Sequence, residues 1–105
     1  MHKYMVEING QNFLVDMSGT VAKYGFFTYR FVETADSAAA ELDAVERIRL
    51  MQSLRDLVRN PADDPPVIDV TSITELASFD EIEDLEPGLI WYDERPKRWW
   101  HFWKR

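Results

Sequence analysis

The segment from Thr34 to Asn60 constrains the fold most strongly, because it is the only long helical pattern in this chain of 105 residues. The segments on either side of it alternate apolar and polar residues with the period of two that marks half-buried strands. A sheet formed by these strands has to bury one face against another element. The helical segment is therefore expected to cover that face.

The apolar residues of this segment form two stripes that one straight helix would point in different directions. We therefore predict a break or sharp kink at residues 49–52, between a first helix over Asp36 to Ile48 and a second over Leu50 to Arg59. Thr34 or Asp36 is expected to cap the first helix, because both side chains can accept a hydrogen bond from its first turn. The first stripe consists of Ala35, Ala38, Leu42 and Val45, and the second of Leu50, Met51, Leu54 and Val58. The first stripe is expected to pack on the sheet, and the second to need another cover, for which the C-terminal tail is the candidate.

The N-terminal part of the chain predicts a hairpin of two short strands. Lys3 to Ile8 alternates, with Tyr4, Val6 and Ile8 on one face. Asn9-Gly10 follows, which is the strongest short hairpin signal because a type I′ turn needs positive φ at both central residues. Phe13 to Asp16 is then the predicted returning strand.

A third strand is predicted over Gly25 to Glu33, after a second turn at Ser18-Gly19. Its alternation places one aromatic set (Phe27, Tyr29, Phe31) and one mixed set (Phe26, Thr28, Arg30, Val32) on opposite faces. Because both faces carry large side chains, a central strand covered partly on both sides is expected.

Two further strands are predicted after the helical region, over Val67 to Thr71 and Leu89 to Tyr92, and the latter is expected at a sheet edge. The fold class is therefore α+β, with an antiparallel sheet of four to five strands in the order β-β-β-α-α-β-β and a broken helix on one face. A two-layer arrangement fits this order, and a ferredoxin-like fold is one candidate for it. We assign residues 1–94 to a single domain and residues 95–105 to a tail that docks on it.

Charge is distributed in blocks, although the formal net charge is only −7. Residues 60–94 carry eleven acidic side chains and no lysine or arginine, whereas residues 95–105 carry five basic side chains and no acidic one. An acidic protein is poorly suited to binding the phosphate backbone of nucleic acids, so nucleic acid is not an expected partner. No apolar run approaches the length of a membrane span, so no membrane association is expected either.

Few residues indicate catalysis. The chain has no cysteine and only two histidines, His2 and His101, and it lacks glycine-rich phosphate loops and nucleophile motifs. The run over residues 80–84 lacks the glycine and terminal glutamate of a calcium-binding EF-hand loop, so a solvated acidic loop is the better interpretation. We predict no enzyme activity, no cofactor and no metal. The lack of cysteine fits a reducing cytoplasm.

The C-terminal tail concentrates aromatic and basic residues, since all four tryptophans lie in the last fifteen residues. Such a segment can stack on single-stranded nucleic acid, enter a membrane interface or form a protein-binding hot spot. Docking over an uncovered sheet face of the same chain is favoured, with the basic groups meeting the acids of residues 60–94. Docking on a second copy or on another protein is the alternative.

Two stretches, GFFTYRFVETADSAAAE and DDPPVIDVTSITEL, resemble a pattern found in small bacterial proteins of unknown function. The resemblance covers roughly residues 3–79 and carries no functional motif, so it implies no activity. The tail lies outside it.

The functional hypothesis is a non-catalytic cytoplasmic protein that binds another protein, possibly a basic one, as inhibitors, antitoxins and immunity proteins do. A homodimer is a further possibility. The alternative is a small-molecule-binding or catalytic domain with a pocket between sheet and helix. The candidate partner-binding residues are Asp80, Glu81, Glu83, Asp84, Arg98, Trp99, Trp100 and Trp103.

Overall fold

The computed structural model describes residues 1–94 and shows one antiparallel four-stranded sheet and two short helices. The α+β class is confirmed. The elements in chain order are β1 (His2–Met17), β2 (Thr20–Thr34), α1 (Ser37–Arg49), α2 (Gln52–Leu57), β3 (Val67–Leu76) and β4 (Ile90–Asp93).

The strands lie in the spatial order β3-β1-β2-β4. β1 pairs along its whole length with β2, while β3 flanks β1 and the short β4 flanks β2. β2 is therefore a central strand and β4 an edge strand, as predicted. The sequence predicted three strands before the helices, but the structure has two. The element order is therefore β-β-α-α-β-β.

The predicted hairpin at Asn9-Gly10 is wrong, because β1 runs straight through it. The hairpin turn is the two-residue loop Ser18-Gly19, where φ is 53° and 86°, the positive values that a type I′ turn requires. β1 contains a bulge instead of a turn, since Gln11 and Asn12 together oppose Gly25 on β2. Asn12 adopts a positive φ of 59° there, a conformation that asparagine tolerates better than most residues.

Close packing against a neighbouring strand explains why residue 10 is a glycine. A Cβ built at this position would lie 2.2 Å from the ring of Phe26, its cross-strand partner. Asn9 beside it is buried, and its side-chain amide donates to the Phe26 carbonyl (3.1 Å) and the Tyr92 hydroxyl (3.2 Å). The dipeptide thus serves close packing of β2 and β4 onto β1.

The predicted break in the helical region is confirmed. Asp36 is the N-cap of α1, and its carboxylate accepts from the Ala39 amide at 2.8 Å. α1 ends at Arg49, Leu50 forms its C-cap, and Met51 is extended (φ −63°, ψ 117°) before α2 begins.

The predicted contact stripes are wrong in detail. α1 buries Ala40, Ala44 and Ile48, whereas Leu42 is 75% exposed. The sheet face below α1 is already filled with large side chains, so a stripe of small residues lets the helix approach more closely than leucine would.

The second stripe is covered in part by the sheet, and its predicted cover by the tail lies outside the described residues. Leu54 is only 4% exposed and belongs to the same core as Ile48 and the sheet, while Leu50 is 62% exposed. The break redirects the chain so that both helices face the same sheet.

β2 and β3 are parallel, with β1 between them, and both helices lie in the one connection that joins them. A ferredoxin-like fold has the order βαββαβ, so that assignment is not confirmed.

We predict that Gly10→Ala lowers the free energy of unfolding by about 1–3 kcal/mol, because the added methyl group overlaps the Phe26 ring. Chemical denaturation measures this change. Gly88→Ala is the matched control, since a Cβ there meets no atom within 4 Å and φ is not positive. Equal effects of the two substitutions would contradict the proposed packing role.

Candidate functional site

The two faces of the sheet differ in how they are covered. The face under the helices carries the buried core, including Val6, Ile8, Phe26 and Val32. We call the other the open face, because no helix of residues 1–94 lies on it. Its residues on β2 and β4 include Phe27, Tyr29, Phe31, Ile90 and Tyr92.

An aromatic stripe follows β2 along the open face. Phe27 stacks on Tyr92 with ring centroids 5.1 Å apart, and Phe31 contacts Phe79 edge-on at 6.1 Å. Phe27 is 46% exposed, Tyr29 39% and Ile90 66%. Exposed apolar side chains that are contiguous on one face are typical of interaction surfaces.

The connection from β3 to β4 carries the predicted acidic residues. β3 and β4 lie at opposite edges of the sheet, so residues 77–89 have to cross it. Phe79 fixes this crossing on Phe31, and the Phe31 amide donates to the Leu85 carbonyl at 3.3 Å. The acidic segment, residues 80–86, begins directly beyond Phe79 at the end of the aromatic stripe. The four predicted residues in it, Asp80, Glu81, Glu83 and Asp84, are all exposed.

A buried arginine on the helical face holds the far end of this crossing. Arg30 is 3% exposed, and its Nη1 donates to the Pro87 carbonyl at 2.8 Å and to the Tyr29 carbonyl at 2.7 Å. Its Nη2 lies 3.3 Å from the Met51 sulfur, at the break between the helices. Arg30 therefore joins the crossing to the helical break.

Burial lowers the pKa of Arg30, and the nearby carboxylates of Glu86 and Asp84 oppose this shift. Glu86 also lies 3.5 Å from Arg47 of α1. Part of the negative charge in the acidic segment thus compensates a buried cation of the fold. Asp80, Glu81 and Glu83 make no ion pair within residues 1–94 and face solvent.

The structure brings the acidic segment and the aromatic stripe together, but it does not address the other predicted residues. Arg98, Trp99, Trp100 and Trp103 lie outside the described residues, as does the predicted docking of the tail.

A pocket of about 460 Å³ lies on the helical face between α2 and the sheet, as the alternative hypothesis requires. Two arginines, Arg49 and Arg55, line it together with apolar side chains. The apolar lining consists of Phe13, Leu54, Val58, Pro66 and Ile68.

The wall of this pocket is fixed to β1 by two asparagines. β3 pairs with β1 only as far as Gln11. Beyond that residue, the chain that follows α2 lies along the same edge of β1, where Val58 pairs with Val15. The side-chain Oδ1 of Asn60 accepts from the Leu14 amide (2.8 Å), while its Nδ2 donates to the main-chain carbonyl of Asn12 (2.9 Å). The Asn60 side chain thus acts as a strand partner for β1.

Asn12 and Asp64 complete this junction. Asn12 Nδ2 donates to the Asp64 carboxylate at 2.8 Å and to the Pro65 carbonyl at 3.1 Å, and Lys23 lies 3.5 Å from the same carboxylate. The hydrogen bond from Asn12 and the charge of Lys23 lower the pKa of Asp64.

Sequence reasoning identified the acidic residues but missed the exposed aromatic stripe. The alternation of β2 assigned Phe27 and Tyr29 to one face correctly, but it carried no information about which face the helices cover. The pocket arginines were also missed, because Arg49 and Arg55 belong to different helices and only the break brings them to one cavity.

Comparison with protein-family models, curated proteins and solved structures yields no match. Neither α1 nor α2, the helices of residues 1–94, has the length and apolar character of a membrane-crossing helix. In the same residues, no group of three or more acidic or histidine side chains is arranged to hold a metal ion.

We predict that Arg30→Lys destabilises the protein by roughly 2 kcal/mol. A single ammonium group cannot reach the Tyr29 carbonyl, the Pro87 carbonyl and the Met51 sulfur at the same time, as the guanidinium group does. The Phe31 amide donates a hydrogen bond to the Leu85 carbonyl in the crossing. Hydrogen exchange of this amide is therefore expected to accelerate more than exchange of the other amides of β2. Arg59→Lys, at an exposed position, is the control. Unchanged exchange at Phe31 would show that Arg30 does not hold the crossing.

A second prediction concerns pH. Because the pKa of Asp64 is lower in the folded protein than the ordinary value of 3.8, its carboxylate stabilises the fold at neutral pH. This contribution is present above pH 4 and is lost as the pH falls through the folded-state pKa.

Asp64→Asn is therefore expected to be less stable than the wild type at pH 7, with a difference that disappears in acid. Thermal unfolding between pH 7 and pH 2 measures it, and Asp63→Asn at the exposed neighbouring position is the control. A difference that persists unchanged at the acid end would exclude the charge of Asp64 as its cause.

Proposed function

We propose that this protein is a non-catalytic protein–protein interaction module that binds a basic partner through its open face and acidic segment. The observation that supports this proposal is the continuity of the two features, since Phe79 links the aromatic stripe to the acidic segment. The surface is therefore bipartite, with an apolar part and an adjoining acidic part.

The apolar part supplies the area that a stable complex buries. Phe27, Tyr29 and Ile90 project from rigid strands, so little conformational entropy is lost when a partner orders them. Aromatic residues of this kind are enriched among the few residues that dominate binding energy.

The acidic part supplies selectivity and rapid association. Asp80, Glu81 and Glu83 are exposed, and their field attracts a positively charged surface and disfavours an acidic one. This is the charge pattern expected of an inhibitor, antitoxin or immunity protein acting in the cytoplasm. The same field repels nucleic acid.

The tail has the chemistry that this surface would bind. Residues 95–105 carry five basic groups, which suit the acidic segment, and aromatic side chains, which suit the aromatic stripe. A tail of this chemistry would compete with the partner for the surface, on the same chain or on a second one. Docking on the same chain keeps the protein monomeric, whereas exchange between two chains makes a homodimer. Sedimentation at increasing concentration distinguishes these two forms.

The experiment is capture of partners from an extract of the native cells on the immobilised protein, followed by mass spectrometry. Binding is expected to weaken steeply between 50 mM and 500 mM salt, because screening reduces electrostatic attraction. Two variants test the two parts of the surface. Phe27→Asn with Ile90→Asn is expected to reduce capture at least about tenfold, and Asp80→Asn with Glu81→Gln and Glu83→Gln by a similar factor.

The control variants replace exposed apolar and acidic side chains of α1, which lies on the helical face rather than on the proposed binding surface. Leu42→Asn removes an exposed apolar side chain that is not on the open face, and Glu41→Gln with Glu46→Gln removes exposed acids. Both controls are expected to retain capture. Equal losses in variants and controls, or capture that is insensitive to salt, would refute the proposal.

A further inference from the structure

The pocket on the helical face combines an apolar interior with two cationic groups. Phe13 and Leu54 are nearly fully buried, while Val58, Pro66 and Ile68 are partly buried around them. A cavity of about 460 Å³ lies within the range that holds fatty-acid-sized or drug-sized molecules.

The arginines of this pocket differ from the other helical arginine nearby in their lack of an acidic partner among the described residues. Within residues 1–94, neither Arg49 nor Arg55 has a carboxylate within ion-pair distance. Arg47, two residues before Arg49 in α1, differs because it pairs with Asp43 at 3.1 Å and with Glu86. Two unpaired cations at one cavity favour an anion between them.

The helical break is responsible for this arrangement. Arg49 ends α1 and Arg55 lies in the second half of α2, and the two positions line one cavity only because the chain turns at Leu50 and Met51. The same turn buries Leu54 in the pocket floor. The cationic and apolar parts of the pocket are therefore fixed by one structural feature.

We propose that this pocket binds an amphipathic carboxylate, whose apolar chain lies on Phe13, Leu54 and Ile68 and whose carboxylate is bound by Arg49 and Arg55. Planar guanidinium groups match the geometry of a carboxylate, and the apolar lining excludes small hydrophilic anions as the preferred ligand. The site is separate from the open face, so it does not depend on the proposed function.

The chain's own tail is a poor occupant of this pocket. Residues 95–105 carry five basic groups, which the two arginines repel.

The test compares three ligands that share one apolar chain: decanoate, decanol and decylammonium. Each is titrated below its micelle-forming concentration into the full-length protein, and binding is followed by calorimetry and by amide chemical shifts of α2 and β3. Decanoate is expected to bind, decanol more weakly, and decylammonium least. Binding of decanoate is expected to weaken as salt is raised.

Arg49→Gln and Arg55→Gln are each expected to weaken decanoate binding by about three- to tenfold, while binding of decanol stays unchanged. Arg47→Gln, which removes the same charge from the same helical turn outside the pocket, is expected to have little effect. Both pocket arginines are exposed, so the variants are expected to fold, and their melting temperatures verify this.

Three results would overturn the proposal. The first is equal affinity for decanoate and decanol, or no saturable binding of decanoate. The second is loss of decanoate binding in Phe27→Asn, which would place the ligand on the open face. The third is decanoate binding only after Trp99, Trp100 and Trp103 are replaced by alanine, which would identify the tail as the natural occupant.

Discussion

The pairing of β1 with β2 along their full length is the constraint on which the rest of the structure depends. β1 is paired with β2 on one side, and on the other side it is shared between β3 and the chain that follows α2. This division of one edge requires a change of direction in the middle of the strand, which the bulge at Gln11 and Asn12 provides. The Asn60 side chain then satisfies the Leu14 amide and the Asn12 carbonyl, which β3 no longer reaches.

Two consequences follow from placing β3 and β4 at opposite edges. Both helices lie in the single connection between β2 and β3, so within the described residues they cover one face of the sheet and leave the other without a helix. The connection from β3 to β4 has to pass the ends of β1 and β2, and this brings the acidic segment beside the exposed aromatic stripe. The bipartite surface is thus a result of topology rather than of one local motif.

The acidic segment lies against both faces of the protein. Through Phe79 it adjoins the open face, and through Glu86 it reaches Arg47 of α1 on the helical face, where Arg49 and Arg55 line the pocket. Arg30 lies between these regions, and Glu86 and Asp84 compensate its buried charge. A role in the fold and the proposed role in binding therefore overlap in the acidic segment, and Asp80, Glu81 and Glu83 are the residues that face solvent.

The sequence by itself determined the features that depend on local chemistry. The alternation of β2, the cap at Asp36, the helical break near Met51 and the edge strand at residues 90–93 all arise from neighbouring residues, so they could be predicted. Only the tertiary structure decided the role of Asn9-Gly10, because the Phe26 ring that requires a glycine there comes from another strand. It also decided which stripe of α1 is buried, since close packing on a filled sheet favours Ala40 and Ala44 over Leu42. The open face and the pocket were decided in the same way, because each unites residues that are distant in the chain and become neighbours only when the sheet order is set.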